Sequence, residues 1–270
     1  MFAITGATSE IGKALSDQLM KRGISYYALS RRPVDGSFQQ FALGDECKLL
    51  EGTRFVVHLA WDRGPQASSL NVPGTHEVCR TAEHIGAKVI LLSSVAVARP
   101  SSAYALQKLR CEQLVLESGG SVIRAGLVWG NRLSGVLLSL CRLAHFGVRL
   151  KPADIQMQHS EVNALANVLI ESSRTRQELI GGYSPESLPL SEVLQCLHPR
   201  TRGIGLRVQQ LSRFASILTV RSPIFIRPLD ALAYLRHEHI DDLPAAITDR
   251  ENAGNAAFRR FVLLQSCDYK

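Results

Sequence analysis

The chain has 270 residues, 46% of them hydrophobic and 20% charged, and a formal net charge of +7. It can bury a large core as one α/β domain or as a domain with a smaller lobe, which excludes a chain too short or too polar to fold. Its six cysteines, Cys47, Cys79, Cys111, Cys141, Cys196 and Cys267, form no C-x-x-C pair and no His/Cys cluster at zinc spacing, so a reduced compartment and no metal site are expected.

Met1 leads directly into "FAIT" without a basic leader or cleavage site. The longest apolar stretches, such as "SGVLLSLCRLAHFGV", fall short of the ~20 residues that span a bilayer, so a cytoplasmic protein without an integral membrane segment is expected. "FAIT" reads as a strand. Ser9 then caps a helix to Lys21, ahead of Gly23. "SYYALS", "SFQQFAL" and "RFVVHLA" read as strands, followed by a helix from Asn71 to His84 near Gly86. "KVILLSS" is the next strand, a helix opened by Ser101 or Ser102 runs to Gly119, and "SVIRAGLVW" is a further strand. Helices are then expected over "RLSGVLLSLCRLAHFG", around Asn163 to Ser172, and after Ser191. The alternation implies an α/β fold: a Rossmann-type doubly wound parallel sheet over residues 1–130, then a smaller, mostly helical C-terminal lobe over 131–270, interleaved with the core.

In "FAITGATSEIGKAL", Gly6 ends the first strand and Gly12 lies inside the start of a helix. A turn without Cβ atoms lets backbone N–H groups approach a pyrophosphate while the helix N-terminus adds positive potential. Two glycines alone are weak; their place at the first strand-to-helix turn of a β-α-β chain points to a dinucleotide site. Farther on, "VILLSSVAVARPSSAYALQKLRCEQL" ends a buried strand at Ser93 and Ser94, and the next helix presents Tyr104, Lys108 and Glu112 on one face. A tyrosine with its ordinary pKa near 10 is a poor base at neutrality, and bringing it to ~7 takes ~4 kcal/mol of phenolate stabilisation, which a lysine ammonium and an oxidised nicotinamide can supply in a dry site.

These motifs resemble those of the extended short-chain dehydrogenases/reductases, the nucleotide-sugar epimerase/dehydratase family. The T-G-x-x-G-x-x-G fingerprint matches at Thr5, Gly6 and Gly12, with Ser9 in place of the middle glycine. The resemblance implies a nicotinamide dinucleotide held by Gly6, Thr8, Ser9, Ile11 and Gly12, with Asp45 at adenine and the "HLAW" stretch, His58 to Trp61 with Leu59 and Ala60, along the adenine ribose. Asn71 matches the asparagine of N-x-x-G-T, where a plain helix cap reads equally well. Glu10 in the first helical turn would repel a pyrophosphate unless it points away. Arg31 and Arg32 stand where an acid commonly holds the ribose 2′-hydroxyl, the nearest acid being Asp35, so NADP(H) is favoured over NAD. The resemblance further implies Tyr104 as general acid/base, Lys108 on the nicotinamide ribose lowering the phenol pKa, and Ser94 on the reacting oxygen, with Ser93 as its fallback. It also implies a homodimer through a bundle that includes the Tyr104 helix.

The match is incomplete. Only ten positions separate Ser94 from Tyr104, Ala125 and Trp129 replace Pro and Tyr of R-P-x-x-V-Y-G, and Asn163 and Ala164 replace acids of V-x-D-L-A. Trp129 reads better as core. Between Pro199 and Leu229 lie six arginines, Arg200, Arg202, Arg207, Arg213, Arg221 and Arg227, and no Asp or Glu. That stretch favours an anionic partner. A nucleotide-diphosphate sugar is the substrate expected, with no nucleic acid, while "LRVQQLSRFASIL" also reads as a basic helix making peripheral contact with a membrane. His237 and His239 read as an exposed polar patch. The expected function is an NAD(P)-dependent oxidoreductase or epimerase acting on a hydroxyl or keto carbon of a nucleotide-linked sugar. The alternatives are a non-catalytic NADP(H)-binding sensor on the same fold and an NADPH-dependent reductase of a lipophilic ketone.

Overall fold

The computed structural model describes residues 1–34, 36–64, 66–130, 132, 136–138, 141, 149–151, 156–190, 192–193, 205–207 and 243–267. In chain order, the first half holds β1 (Phe2–Thr5), α1 (Glu10–Lys21), β2 (Tyr26–Ser30), β3 (Phe38–Gln40), β4 (Phe55–His58), α2 (Ala67–His84), β5 (Lys88–Ser94), α3 (Ala103–Glu117) and β6 (Ser121–Ala125). There follow β7 (Leu127–Trp129), β8 (Arg149–Lys151), β9 (Gln156–Glu161), α4 (Val162–Glu171), β10 (Leu179–Gly182), β11 (Ser187–Pro189), β12 (Gly205–Arg207), α5 (Arg250–Ala253) and α6 (Asn255–Cys267).

Seven strands form one sheet in the order β10-β6-β5-β4-β1-β2-β3, every neighbouring pair parallel. Its central strands are near-continuous apolar runs because both faces are covered. Alternate residues serve the two layers. Ile4, Val57, Ile90, Leu92 and Ile123 pack with Leu15 and Leu19 of α1 and Leu165 and Leu169 of α4, while Ala3, Val56, Val89, Leu91 and Val122 pack with Val78 and Ala82 of α2 and Cys111 and Val115 of α3. The strand order reverses direction at β1, between β4 and β2, and such a switch point opens a crevice at the carboxyl ends of the strands.

The expected doubly wound sheet is present, with four differences of detail. α2 begins at Ala67, so Asn71 lies inside the helix and does not cap it. "SVIRAGLVW" is two strands broken at Gly126, where an added Cβ would lie 2.4 Å from the carbonyl oxygen of Gln158. After residue 130, where a mostly helical lobe is expected, the described residues also hold strands: β9 lies between β7 and β11 in a second sheet, and β10 joins the main sheet beside β6. Gly205–Arg207 is a strand paired with β8 where the basic helix is expected to begin. The remainder of that helix, five of the six arginines and the His237/His239 pair lie outside the described residues, as do Asp35 and Ser191. Among the described residues no helix is long and apolar enough to cross a membrane.

Candidate active site

The glycine turn is built by close backbone approach. Gly6 follows β1 with φ +67°, and a Cβ there would lie 2.7 Å from the Ala60 nitrogen; one at Gly12 would lie 2.6 Å from the Gly6 carbonyl oxygen. A side chain at either position would push apart the main chains that form the cradle. Ser9 caps α1, its hydroxyl accepting from the Gly12 N–H at 3.0 Å. Thr8 and Ser9 are exposed at the mouth of the turn, and Ile11 packs inward against the core. Glu10 accepts from the Arg132 N–H at 3.2 Å with one oxygen, while its other oxygen is buried with no hydrogen-bond partner among the described residues.

A buried polar relay fixes the turn to β4 and α2. The register sets Thr5 opposite His58. Thr5 Oγ1 accepts from the N–H groups of Leu59 and Ala60, each at 3.1 Å, so its own proton goes to His58 Nδ1 at 2.8 Å. Thr75 Oγ1 donates to the Asn71 carbonyl oxygen at 2.8 Å and accepts from His58 Nε2–H at 3.1 Å. His58 is therefore neutral with its proton on Nε2. Burial, aided by the Lys108 charge, pushes its pKa down to about 3. The sequence motif aligns this stretch with the adenine ribose; in the structure the His58 ring is an internal strut, and Leu59, Ala60 and Trp61 are half-buried.

Asn71, buried in α2, holds the loop after β4. Its Oδ1 accepts from the Asp62 N–H at 2.8 Å, and its Nδ2 donates to the Asp62 carbonyl oxygen at 3.0 Å and to Gln107 Oε1 at 3.1 Å. Arg31 and Arg32 are exposed just past β2, with the Arg32 N–H 3.4 Å from Ser30 Oγ. Asp45 closes its own turn, accepting from the Ala42 N–H at 3.1 Å.

Ser94, Tyr104 and Lys108 meet at the end of β5. Ser94 Oγ accepts from the Ala96 N–H at 3.3 Å, and its hydroxyl is near enough to the Tyr104 phenol to lower the phenol pKa. Ser93 Oγ is buried with no partner among the described residues, so Ser94 is the serine beside the phenol. Ser102 caps α3, which sets the helical register that carries Tyr104 and Lys108 onto this edge. Tyr104 is 36% exposed as a residue. Its hydroxyl is the desolvated end, and that desolvation raises the phenol pKa, with smaller lowering by the Arg63 charge and the Ser94 hydrogen bond. Lys108, 7% exposed, donates to the Leu92 carbonyl oxygen at 2.7 Å. Burial first, and the Arg63 charge after it, bring its ammonium down to about 8 against the raising influence of Cys111 and Glu112. Arg63 thus brings a positive charge to the phenol that the sequence reading does not include. Trp61 stands against both groups. Trp61 belongs to the stretch expected along the adenine ribose, and its place against Tyr104 and Lys108 is not read from the sequence; Arg63 is absent from the sequence-derived site because nothing local marks it.

Glu112, the third residue of the helix face, forms a two-pronged buried ion pair with Arg124 of β6, the shortest contact being 2.7 Å. Trp129 is core: its indole N–H donates to His159 Nδ1 at 3.0 Å, and its ring packs edge-on to Phe258. A cavity of about 390 Å³ opens between Trp129, Gly130, Glu161, Asn163, Asn167 and Asp249; Ser94, Tyr104 and Lys108 do not line it.

No protein-family model matches the chain. An uncharacterized protein of Mycobacterium tuberculosis is 22% identical over 284 aligned residues, which take in 95% of this chain and 31% of that protein, so the chain spans about a third of the length of its curated relative. Among solved structures, MoeE5 in complex with UDP-glucuronic acid and NAD superposes with a TM-score of 0.63 at 22% identity, covering 76% of this chain and 84% of that one. The UDP-glucose 4-epimerase of Thermus thermophilus in complex with NAD also gives 0.63, at 17% identity, covering 87% of this chain and 98% of that one. At these identities the likeness is one of fold. This chain has the Rossmann-type α/β fold of the NAD-dependent nucleotide-sugar epimerases and dehydratases of the short-chain dehydrogenase/reductase superfamily.

Proposed function

We propose that the chain is a nicotinamide-dependent oxidoreductase that acts at a keto or hydroxyl carbon of a nucleotide-linked sugar. The observation that carries this reading is the gathering of Ser94, Tyr104 and the buried Lys108 at the end of β5, the sheet edge that also bears the glycine turn. The cradle at Gly6 and Gly12, which any Cβ would fill, suits a dinucleotide pyrophosphate, and Thr8, Ser9, Ile11, Leu59 and Ala60 complete its walls. Arg31 favours a 2′-phosphate, hence NADP(H) over NAD. When bound, the nicotinamide supplies or accepts the hydride.

The protein's own part is proton transfer. A phenol whose pKa is raised stays protonated at neutral pH, so Tyr104 is ready to donate to a carbonyl oxygen, which favours the reductive direction. Ser94 holds that oxygen beside the phenol, and Lys108 takes the ribose hydroxyls with the ammonium hydrogens that Leu92 does not use. For alcohol oxidation the phenolate would need the charges of Arg63 and Lys108 together. The nucleotide-sugar class is supported by fold neighbours such as MoeE5 in complex with UDP-glucuronic acid, and by the acid-free arginine stretch. A homodimer would take the outer face of α3, where Leu106 is 55% exposed.

The test is Tyr104→Phe assayed with NADPH or NADH against a panel of nucleotide-linked keto-sugars. Turnover is expected to fall about 100-fold or more, the range of general acid catalysis, with dinucleotide affinity within about twofold of the parent. Retained turnover would refute the assignment.

A further inference from the structure

The loop after β4 brings the aromatic side chain of Trp61 to the Tyr104–Lys108 edge. The Trp61 ring face lies over the Lys108 ammonium, 3.9 Å from Nζ to the ring centroid, and Tyr104 meets the same indole nearly perpendicularly, at 5.6 Å and 79°. The loop is held by Asn71, which grips both the N–H and the carbonyl of Asp62 and also bonds Gln107, the residue before Lys108. An ammonium bonded to one carbonyl at 2.7 Å and covered on another side by an indole has lost much of its freedom to swing toward solvent. Cation–π attraction is strongest for tryptophan and grows when the cation is desolvated. A T-shaped contact also orients a neighbouring aromatic ring.

We infer that Trp61 is a positioning residue of this site: its indole face fixes the Lys108 ammonium and its ring contact fixes the Tyr104 side chain, so that amine and phenol are presented together at the end of β5. The inference rests on the oxidoreductase reading for its purpose but on the ring geometry for its substance. The charged and titratable groups around Lys108 are His58 of β4, Arg63 of the same loop, and Cys111 and Glu112 of α3. Only His58 among them carries an aromatic ring, and that ring is held by Thr5 and Thr75 on its two nitrogens, so none replaces the indole face.

The experiment compares the parent with Trp61→Leu and Trp61→Phe. In NMR spectra of lysine-labelled protein, the ε-methylene protons of Lys108, assigned through Lys108→Met, are expected upfield of other lysines in the parent, partly so in Trp61→Phe, and unshifted in Trp61→Leu. Titration with NADP⁺ is expected to show affinity about tenfold weaker for Trp61→Leu and within about threefold of the parent for Trp61→Phe. An unshifted Lys108 in the parent overturns the inference. So does a Trp61→Leu variant with unchanged affinity, or an affinity loss that Trp61→Phe does not rescue. Failure of the oxidoreductase reading looks different: neither NADP⁺ nor NAD⁺ then binds the parent, while the ring-current shift of Lys108 persists.

Discussion

His58 and Lys108 are two buried bases whose burial acts in the same direction and is read by different measurements. The folded pKa of His58, about 3, lies below its ordinary 6.5, so between those values the unfolded chain binds the extra proton and stability falls as pH falls. Denaturant unfolding between pH 6.5 and 4 should lose about 1.4 kcal/mol per pH unit from this group, and His58→Gln should flatten that slope. Lys108, brought down to about 8, loses its charge as pH rises through that value, so NADP⁺ affinity should decline above about pH 8 in the parent and hold there in Lys108→Arg. Ser94, Tyr104 and Lys108, with the turn at Gly6 and Gly12, are candidates legible from spacing, placement and resemblance, and the structure gathers the first three at the end of β5. Their partners are not legible in the sequence. Trp61 reaches Lys108 across 47 positions, and Thr5 reaches His58 across 53, contacts set by strand register and helix packing that no local pattern records.

Helices and strands hold these residues through a few irreplaceable contacts. Gly6→Ala would place a Cβ against the Ala60 nitrogen in a left-handed backbone conformation, a strain of roughly 1–3 kcal/mol that should weaken dinucleotide binding as well as lower the melting temperature. The Glu112–Arg124 pair clamps α3 to β6, with Glu112 2% exposed. Removing the carboxylate in Glu112→Ala deprives a largely buried guanidinium of its counter-charge and should cost about 3 kcal/mol, read by urea unfolding; joint replacement of both residues by apolar ones should cost clearly less. Helix caps at Ser9 and Ser102 and the apolar strands were readable because capping and burial act within a few residues. The earlier start of α2 and the break at Gly126 were not, since Asn71 serves a loop instead of a helix end, and Gly126 answers to β9 passing close by.

Across the molecule, the second half is tied back to the first by polar pins. His159 of β9 takes the Trp129 N–H on Nδ1 and bonds Asn255 Oδ1 at 2.8 Å, while Asn255 also donates to the Glu186 carboxylate at 3.0 Å and the Ser187 carbonyl oxygen at 3.1 Å, and Phe258 of α6 stacks against the same His159 ring. Asn255→Ala keeps the main-chain N–H on Glu186 but takes the side-chain partner from His159 Nε2 and the Ser187 carbonyl oxygen, and should lower the melting temperature by roughly 3–6 °C, with the Ser94–Tyr104–Lys108 edge intact by dinucleotide binding. The sheet, its switch point and the site edge form one continuous frame, and the account depends on that frame accepting a nicotinamide dinucleotide beside Tyr104. Calorimetric titration of the intact chain with NADP⁺ and NAD⁺, alongside Lys108→Met, tests this most directly. Saturable binding that prefers NADP⁺ and weakens about tenfold or more in Lys108→Met is the expected result; a folded chain that binds neither dinucleotide, or binds equally well without the Lys108 amine, would contradict it.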